Sequence, residues 1–353
     1  MKALQMIRQL TNAPGASGFE DAVVEAARQW AADIGTMEED FRRNLYIHRK
    51  ENKGDRPVVV VDAHSDEVSF MIQCIKPNGT LLFVSLGNWN KDSLGGTKVM
   101  VRNALGEYIP GVIASKPGHF ASSGEKASPI DEMVIDVGAV SKADAVENFH
   151  IRIGEPAVPA TEFSYDEEHG LMFAKAFDCR IGCAAALEAL RRLDGEELPC
   201  DVVCTLSAQE EVGPKNSAVV FNRVKPDIAI IMEGAPADDT FVPDYAAQTA
   251  LKKGPMLRHM DVSAICAPRF QRFALDLARE KGIPVQEAVR RGGGNNASSA
   301  QTVLNGAPSI VVGVPVRYAH SPNCICSYQD FEAAVELVIA LLRTITKEHI
   351  QAM

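Results

Sequence analysis

Runs of β-branched and aliphatic residues that begin polar or at proline and end in charged or polar residues recur along the chain: PVVVVDAHSDEV, DVVCTLSAQEE, DIAIIMEG and APSIVVGVPVRYAH. Four consecutive valines without polar alternation fit a strand covered on both faces, and the other runs share that character. Segments with helical periodicity lie between and after them: RIGCAAALEALRRL, PRFQRFALDLAREKG, NASSAQTVL and DFEAAVELVIALLRTI. Near the N-terminus, Ser17 and Glu20 have the spacing of a capping box ahead of EDAVVEAARQWAADIG, which stops at Gly35. This alternation predicts an α/β fold: a mainly parallel or mixed sheet with helices on both faces.

One stretch breaks the pattern. From residue 71 to 160, short β-like pieces (TLLFVSLG, TKVMVRN, YIPGVIAS, EMVIDVGAV) stand between Gly, Pro, Ser and Asn, with little helical periodicity before KADAVENF. They predict a small β-rich, barrel-like domain at 71–160, inserted into an α/β domain made of 1–70 and 161–353. A length of 353 residues exceeds the usual span of one compact domain and suits such an insertion.

Composition narrows the partners. No apolar run is long enough to cross a bilayer, and the N-terminus lacks the apolar region of a secretory signal, so a cytoplasmic protein without a membrane partner is expected. The eight cysteines lie in apolar segments or beside motif residues, without CxxC pairs, which suits reduced thiols. A formal charge of -10 and the lack of a basic stripe argue against a nucleic-acid partner.

The chemistry gathers where strands end. In an open α/β sheet, ligands bind outside the carboxyl ends of the strands. There the sequence places His64, Asp66 and Glu67 after the first run, Glu210 and Glu211 after the second, Glu233 after the third and His320 after the fourth. Asp178 stands at the start of the helix RIGCAAALEAL. Imidazole with carboxylate suits Zn²⁺ and its neighbours, whereas an all-oxygen set would suit Mg²⁺ or Ca²⁺. Two divalent cations against three carboxylates leave about one positive charge, which one hydroxide balances. The expected sets are His64, Asp178 and Glu233 on one ion and Asp178, Glu211 and His320 on the other, with Asp178 bridging. Glu210, beside them, is the candidate general base. Asp66 could orient an imidazole or merely cap its loop, and Glu67 reads as an ordinary turn residue.

AHSDEV, KAFDCRIG, SAQEEVG, IIMEG and RYAHSP, in this order, resemble the glutamyl/deblocking aminopeptidases, the two-metal exopeptidases that include the tetrahedral aminopeptidases. GVIASKPGHF, VIDVGA and GGGNNAS extend the resemblance over nearly the whole chain. It implies metal ligation by His64, Asp178, Glu211, Glu233 and His320, Glu210 as base and Asp66 as supporting acid. It also implies Zn²⁺ or Co²⁺, with Mn²⁺ as a third choice, peptide substrates, and a homo-oligomer, typically a dodecamer built from dimers. Glu233 and Asn296 depart from the aspartates common in the family, and Pro214, Lys215 and Asn216 from its Gly-rich continuation. Two rival readings remain open: a glycoside hydrolase, since some members carry an endoglucanase label, and a non-catalytic oligomer stabilised by metal. Arg258, His259, Arg290 and Arg291 could line a pocket for acidic side chains or lie on the surface.

Overall fold

The computed structural model describes residues 2–116, 118–120 and 129–353; Pro117 of the GVIASKPGHF motif and residues 121–128 of the inserted stretch lie outside them. Across the main sheet the strands run Gly35–Glu39, Leu45–Arg49, Asp201–Ser207, Val58–His64, Ile228–Pro236, Ser309–Arg317, Cys324–Ser327, Leu171–Ala174 and Ser164–Asp166. Met256–Met260 pairs antiparallel with Ser309–Arg317 and carries Gln286–Val289 beyond it. Asp201–Ser207, Val58–His64, Ile228–Pro236 and Ser309–Arg317 form a parallel centre, and the flanking pairs are antiparallel except Met256–Met260 with Gln286–Val289. The sheet is therefore mixed, with its parallel part at the four apolar runs PVVVVDAHSDEV, DVVCTLSAQEE, DIAIIMEG and APSIVVGVPVRYAH.

Both faces of that centre are buried, which explains the unbroken apolar runs. Val59, Val61, Ile228, Ile230, Ile310 and Val312 pack into the large core beneath helices Phe177–Arg192 and Tyr328–Thr344. The alternate residues Val60, Ala229, Ile231 and Val311 pack with Phe221, Ala297 and Ala300 from helices Ala218–Val224 and Ala297–Thr302 on the other face. Each fully buried Val or Leu contributes roughly 1.5–3 kcal/mol relative to exposure. Small side chains, Ala184, Ala185 and Ala186, let the first of these helices lie close to the sheet.

Strands Ser69–Ile75, Leu81–Leu86, Val134–Asp136, Tyr108–Ile113, Lys98–Arg102 and Pro156–Pro159 close a six-stranded barrel. It has its own core, in which Phe70 stacks on Trp89 and meets Phe83 edge-on, both at 4.8 Å between ring centres.

Some local expectations fail. Helix Asp21–Ala31 starts at Glu20 without a side-chain cap, because Ser17 and Glu20 spend their polar atoms elsewhere: Ser17 Oγ donates to Asp66, and Glu20 accepts from the backbone N–H groups of Gly18 and Gln209. Gly35 opens a strand, and the polar piece after it holds the hairpin of Gly35–Glu39 with Leu45–Arg49, whose alternation is too short to stand out in sequence. Among the described residues, no helix is long and apolar enough to cross a membrane.

Candidate active site

Val58–His64 ends with His64, and the chain bends so that Asp66 lies behind it. Asp66 Oδ1 sits 3.2 Å from His64 Nδ1. Asp66 also accepts the backbone N–H of Glu210 at 3.0 Å and of Glu211 at 3.1 Å, and the Ser17 hydroxyl at 2.6 Å. So Asp66 orients an imidazole and also shapes the loop carrying both glutamates. Gln209, at φ 61°, makes the turn that brings Glu210 and Glu211 to the rim together.

Asp178 stands at the head of helix Phe177–Arg192 with extended backbone (φ -83°, ψ 107°). Its Oδ1 lies 3.1 Å from His64 Nε2, and its Oδ2 lies 3.3 Å from His320 Nε2. Glu233 Oε2 is 3.9 Å from His64 Nε2, and Glu211 Oε2 is 3.5 Å from His320 Nε2. His64, Asp178 and Glu233 thus form one group, and Asp178, Glu211 and His320 a second that shares Asp178. Within each, the donor atoms lie no more than 4.8 Å apart. Gly234 follows Glu233 because a Cβ there would meet Asp178 Cα and the Phe177 carbonyl at 2.7 Å.

Both histidines are held from behind. His320 Nδ1 is 2.8 Å from the carbonyl oxygen of Asn88, which can only accept, so Nδ1 carries a proton and Nε2 faces inward. Asn88, in the inserted stretch, is a contact that sequence reasoning missed, since a backbone carbonyl leaves no residue-type signature. Cys179, which was read only as a reduced thiol, also has its sulfur in the first group, and its thiol donates to the Met232 carbonyl at 3.1 Å.

Burial dominates the electrostatics. It raises Glu210 to about 7, with Asp66 adding to the effect and His64 opposing it, and pushes Glu211 and Glu233 well above the usual carboxylate range. Burial works against charge on His320 too, but Glu211 and Asp178 overcome it and raise the imidazole to about 10. Burial also opposes ionisation of Asp178, yet His320 and His64 hold it well below its usual value. The floor of the site therefore favours positive charge. Glu211 Oε1 is buried with no hydrogen-bond partner, an orphan acceptor that a cation would satisfy. Two imidazole nitrogens, a two-sided aspartate and two glutamates fit a pair of divalent ions of the zinc type.

These groups line a cavity of about 540 Å³, which Arg258, Arg290, Arg291 and Gly292–Gly294 also border. Arg258 pairs with Asp261 and Arg290 with Asp238, while Arg291 is exposed and without an ion pair among the described residues. His259 lies outside the lining and pairs with Glu287. Glu67 is no simple turn residue. It is buried, its carboxylate gripped by Lys175 and Arg180. Asn296 is buried behind the site, donating to Asp62 Oδ2 at 2.8 Å and Ser207 Oγ at 2.7 Å.

Residues 44–337 match the family described as M42 glutamyl aminopeptidase. The chain belongs to that family. Membership makes it a peptidase of the aminopeptidase type, and the two His/Asp/Glu groups are ones that could hold metal. Glutamyl aminopeptidase of Lactococcus lactis is 30% identical over 355 residues, 99% of this chain and 98% of the relative. Among solved structures, the TET aminopeptidase of a marine sediment archaeon of the Thaumarchaeota superposes with a TM-score of 0.94 at 32% identity, covering 99% of both chains. The TET1 peptidase of Pyrococcus horikoshii, named as able to assemble into a tetrahedron or a large octahedral shell, gives 0.87 at 28%, covering 97% of this chain and 100% of its own.

Proposed function

We propose that the protein is a two-metal aminopeptidase that removes N-terminal residues from peptides, with Glu210 as general base. The observation that carries this is the reach of Asp178, whose two oxygens face the two inward-turned imidazole nitrogens. His64, Asp178 and Glu233 would hold one ion, and Asp178, Glu211 and His320 the other. When bound, divalent ions such as Zn²⁺, Co²⁺ or Mn²⁺ supply Lewis acidity to the scissile carbonyl and make water a stronger acid. Glu210, on the cavity wall and held by its backbone to Asp66, takes a proton from the attacking water and returns it to the departing amine. Asp66 keeps the His64 ring in orientation throughout.

The arginines on the same cavity give the reading a substrate preference. Arg291, exposed and without an ion pair among the described residues, would attract an acidic N-terminal side chain, in keeping with the relative from Lactococcus lactis named glutamyl aminopeptidase. The division into a catalytic unit, 1–70 with 161–353, and an inserted unit, 71–160, then shares the labour, since the insertion supplies the Asn88 carbonyl that steadies His320. Eight unpaired cysteines suit work in the reducing cytoplasm. Assembly into a homo-oligomer of twelve subunits is supported by the dodecamer named for a related TET1 structure, and exposed aromatics such as Phe41 and Tyr245 suit subunit contacts. Among the described residues, no Phe, Tyr or Trp lines the cavity to stack on a sugar, which disfavours a glycosidase.

The deciding experiment is chelation followed by restoration of single metals, read on a panel of aminoacyl anilides beside a cellulose substrate. Loss and metal-specific recovery of anilide cleavage, best on Glu and Asp, is expected. Full activity after the metal has been stripped would overturn the mechanism, and a metal-loaded protein inert to every anilide would favour the non-catalytic reading.

A further inference from the structure

Behind the cavity, outside its lining, lies a cluster of buried charge that the mechanism does not use. Lys175 Nζ donates to both oxygens of Glu67, at 2.5 and 2.6 Å, and the two side chains are only 4% and 1% exposed. Arg180 Nη2 stands 3.4 Å from Glu67 Oε1, and its guanidinium donates to the carbonyls of Leu10, Ala13 and Gly15. The Gly15 N–H completes the set by donating to Glu67 at 3.1 Å.

The placement of these charges matters more than their number. Glu67 immediately follows Asp66 on the loop leaving Val58–His64, while Lys175 and Arg180 flank Asp178 on the turn entering its helix. Those two segments carry the side chains that meet at 3.1 Å. No strand ladder joins them: Ile228–Pro236, Ser309–Arg317 and Cys324–Ser327 stand between Val58–His64 and Leu171–Ala174, the strand that leads to Lys175. Buried ion pairs are a poor source of stability, because desolvation consumes much of their attraction and apolar residues would pack the same space at least as well. A directional, two-oxygen grip does what apolar packing cannot, which is to fix the distance between two loops.

We propose that Glu67, Lys175 and Arg180 are positioning residues, a buried charged tie that holds His64 and Asp178 at ligand spacing. The proposal rests on the metallopeptidase reading above. Lys175→Met is the chosen variant, since it keeps chain length and leaves Arg180 to balance Glu67. Expected are a loss in kcat of about 10- to 100-fold with KM little changed, and an altered visible absorption spectrum of the Co²⁺-loaded protein. Glu67→Gln, which still accepts the Gly15 N–H, should shift the cobalt spectrum as well, and serves if the first variant fails to fold. Wild-type kcat and an unchanged cobalt spectrum in either folded variant would overturn the tie while leaving the metal reading intact, as would activity lost only in step with thermal stability. A wild-type protein that takes up no cobalt would overturn the metal reading and the tie with it.

Discussion

Asp66 Oδ1 lies 3.2 Å from His64 Nδ1, and the same carboxylate receives the backbone N–H groups of Glu210 and Glu211. One buried acid thus sets the orientation of the His64 imidazole and the course of the loop that bears Glu210 and Glu211. Asn at this position has a single acceptor oxygen for four donors. Asp66→Asn is therefore expected to weaken metal binding by about 10- to 100-fold, measured by competition with a chromogenic chelator. Unchanged affinity would mean that Asp66 only caps its loop.

Glu210→Gln keeps the shape of the side chain and removes its ability to take a proton. Metal content should stay the same while kcat falls by roughly 10²–10⁴-fold. Burial places Glu210 at about 7, and neighbouring cations would draw that value down. Since the base works ionised, kcat/KM of the wild type should fall as pH drops below 7, and the residual rate of the variant should lack that limb. A variant that turns over at the wild-type rate would remove Glu210 from the mechanism.

Glu20 offers a test that concerns stability alone. It is fully buried, burial and then Asp66 raise it to about 8, and its Oε2 has no partner. A carboxyl raised above its unfolded value of 4.5 contributes stability that is present below that value and is lost as pH rises toward 8. Glu20→Gln mimics the protonated form. It should raise the thermal midpoint at pH 8 by the equivalent of about 1–3 kcal/mol and do little at pH 4, as read by calorimetry across pH. Equal effects at both pH values would show that folding does not raise the pKa of Glu20.

Asn296 is buried, and its amide donates to buried Asp62 and to Ser207. Burial already raises Asp62. Asn296→Asp would set two acids side by side and exchange a donor for an acceptor. Destabilisation of roughly 2 kcal/mol or more is expected at pH 8, shrinking as pH falls and the acids hold protons, followed by chemical denaturation. A pH-independent change would point to packing instead.

How far the sequence reached can be traced through particular residues. Val59 to Val61 announce a strand buried on both faces because successive residues alternate between two apolar layers, so every position records burial. His64, Glu210, Glu211, Glu233 and His320 were legible because strand ends define where a ligand can sit, and Asp178 because it opens a helix at the same rim. The partners of buried polar atoms were not legible. Ser17 and Glu20 have the spacing of a helix cap, yet Ser17 binds Asp66 and Glu20 holds Gln209, nearly two hundred positions away. Glu67, read as a turn residue, is locked against Lys175 and Arg180, and His320 leans on a carbonyl from the barrel. Periodicity reports whether a residue is buried, because burial acts on each side chain separately. A hydrogen bond depends on which distant segment packing brings within 3 Å, so only the assembled fold decides it.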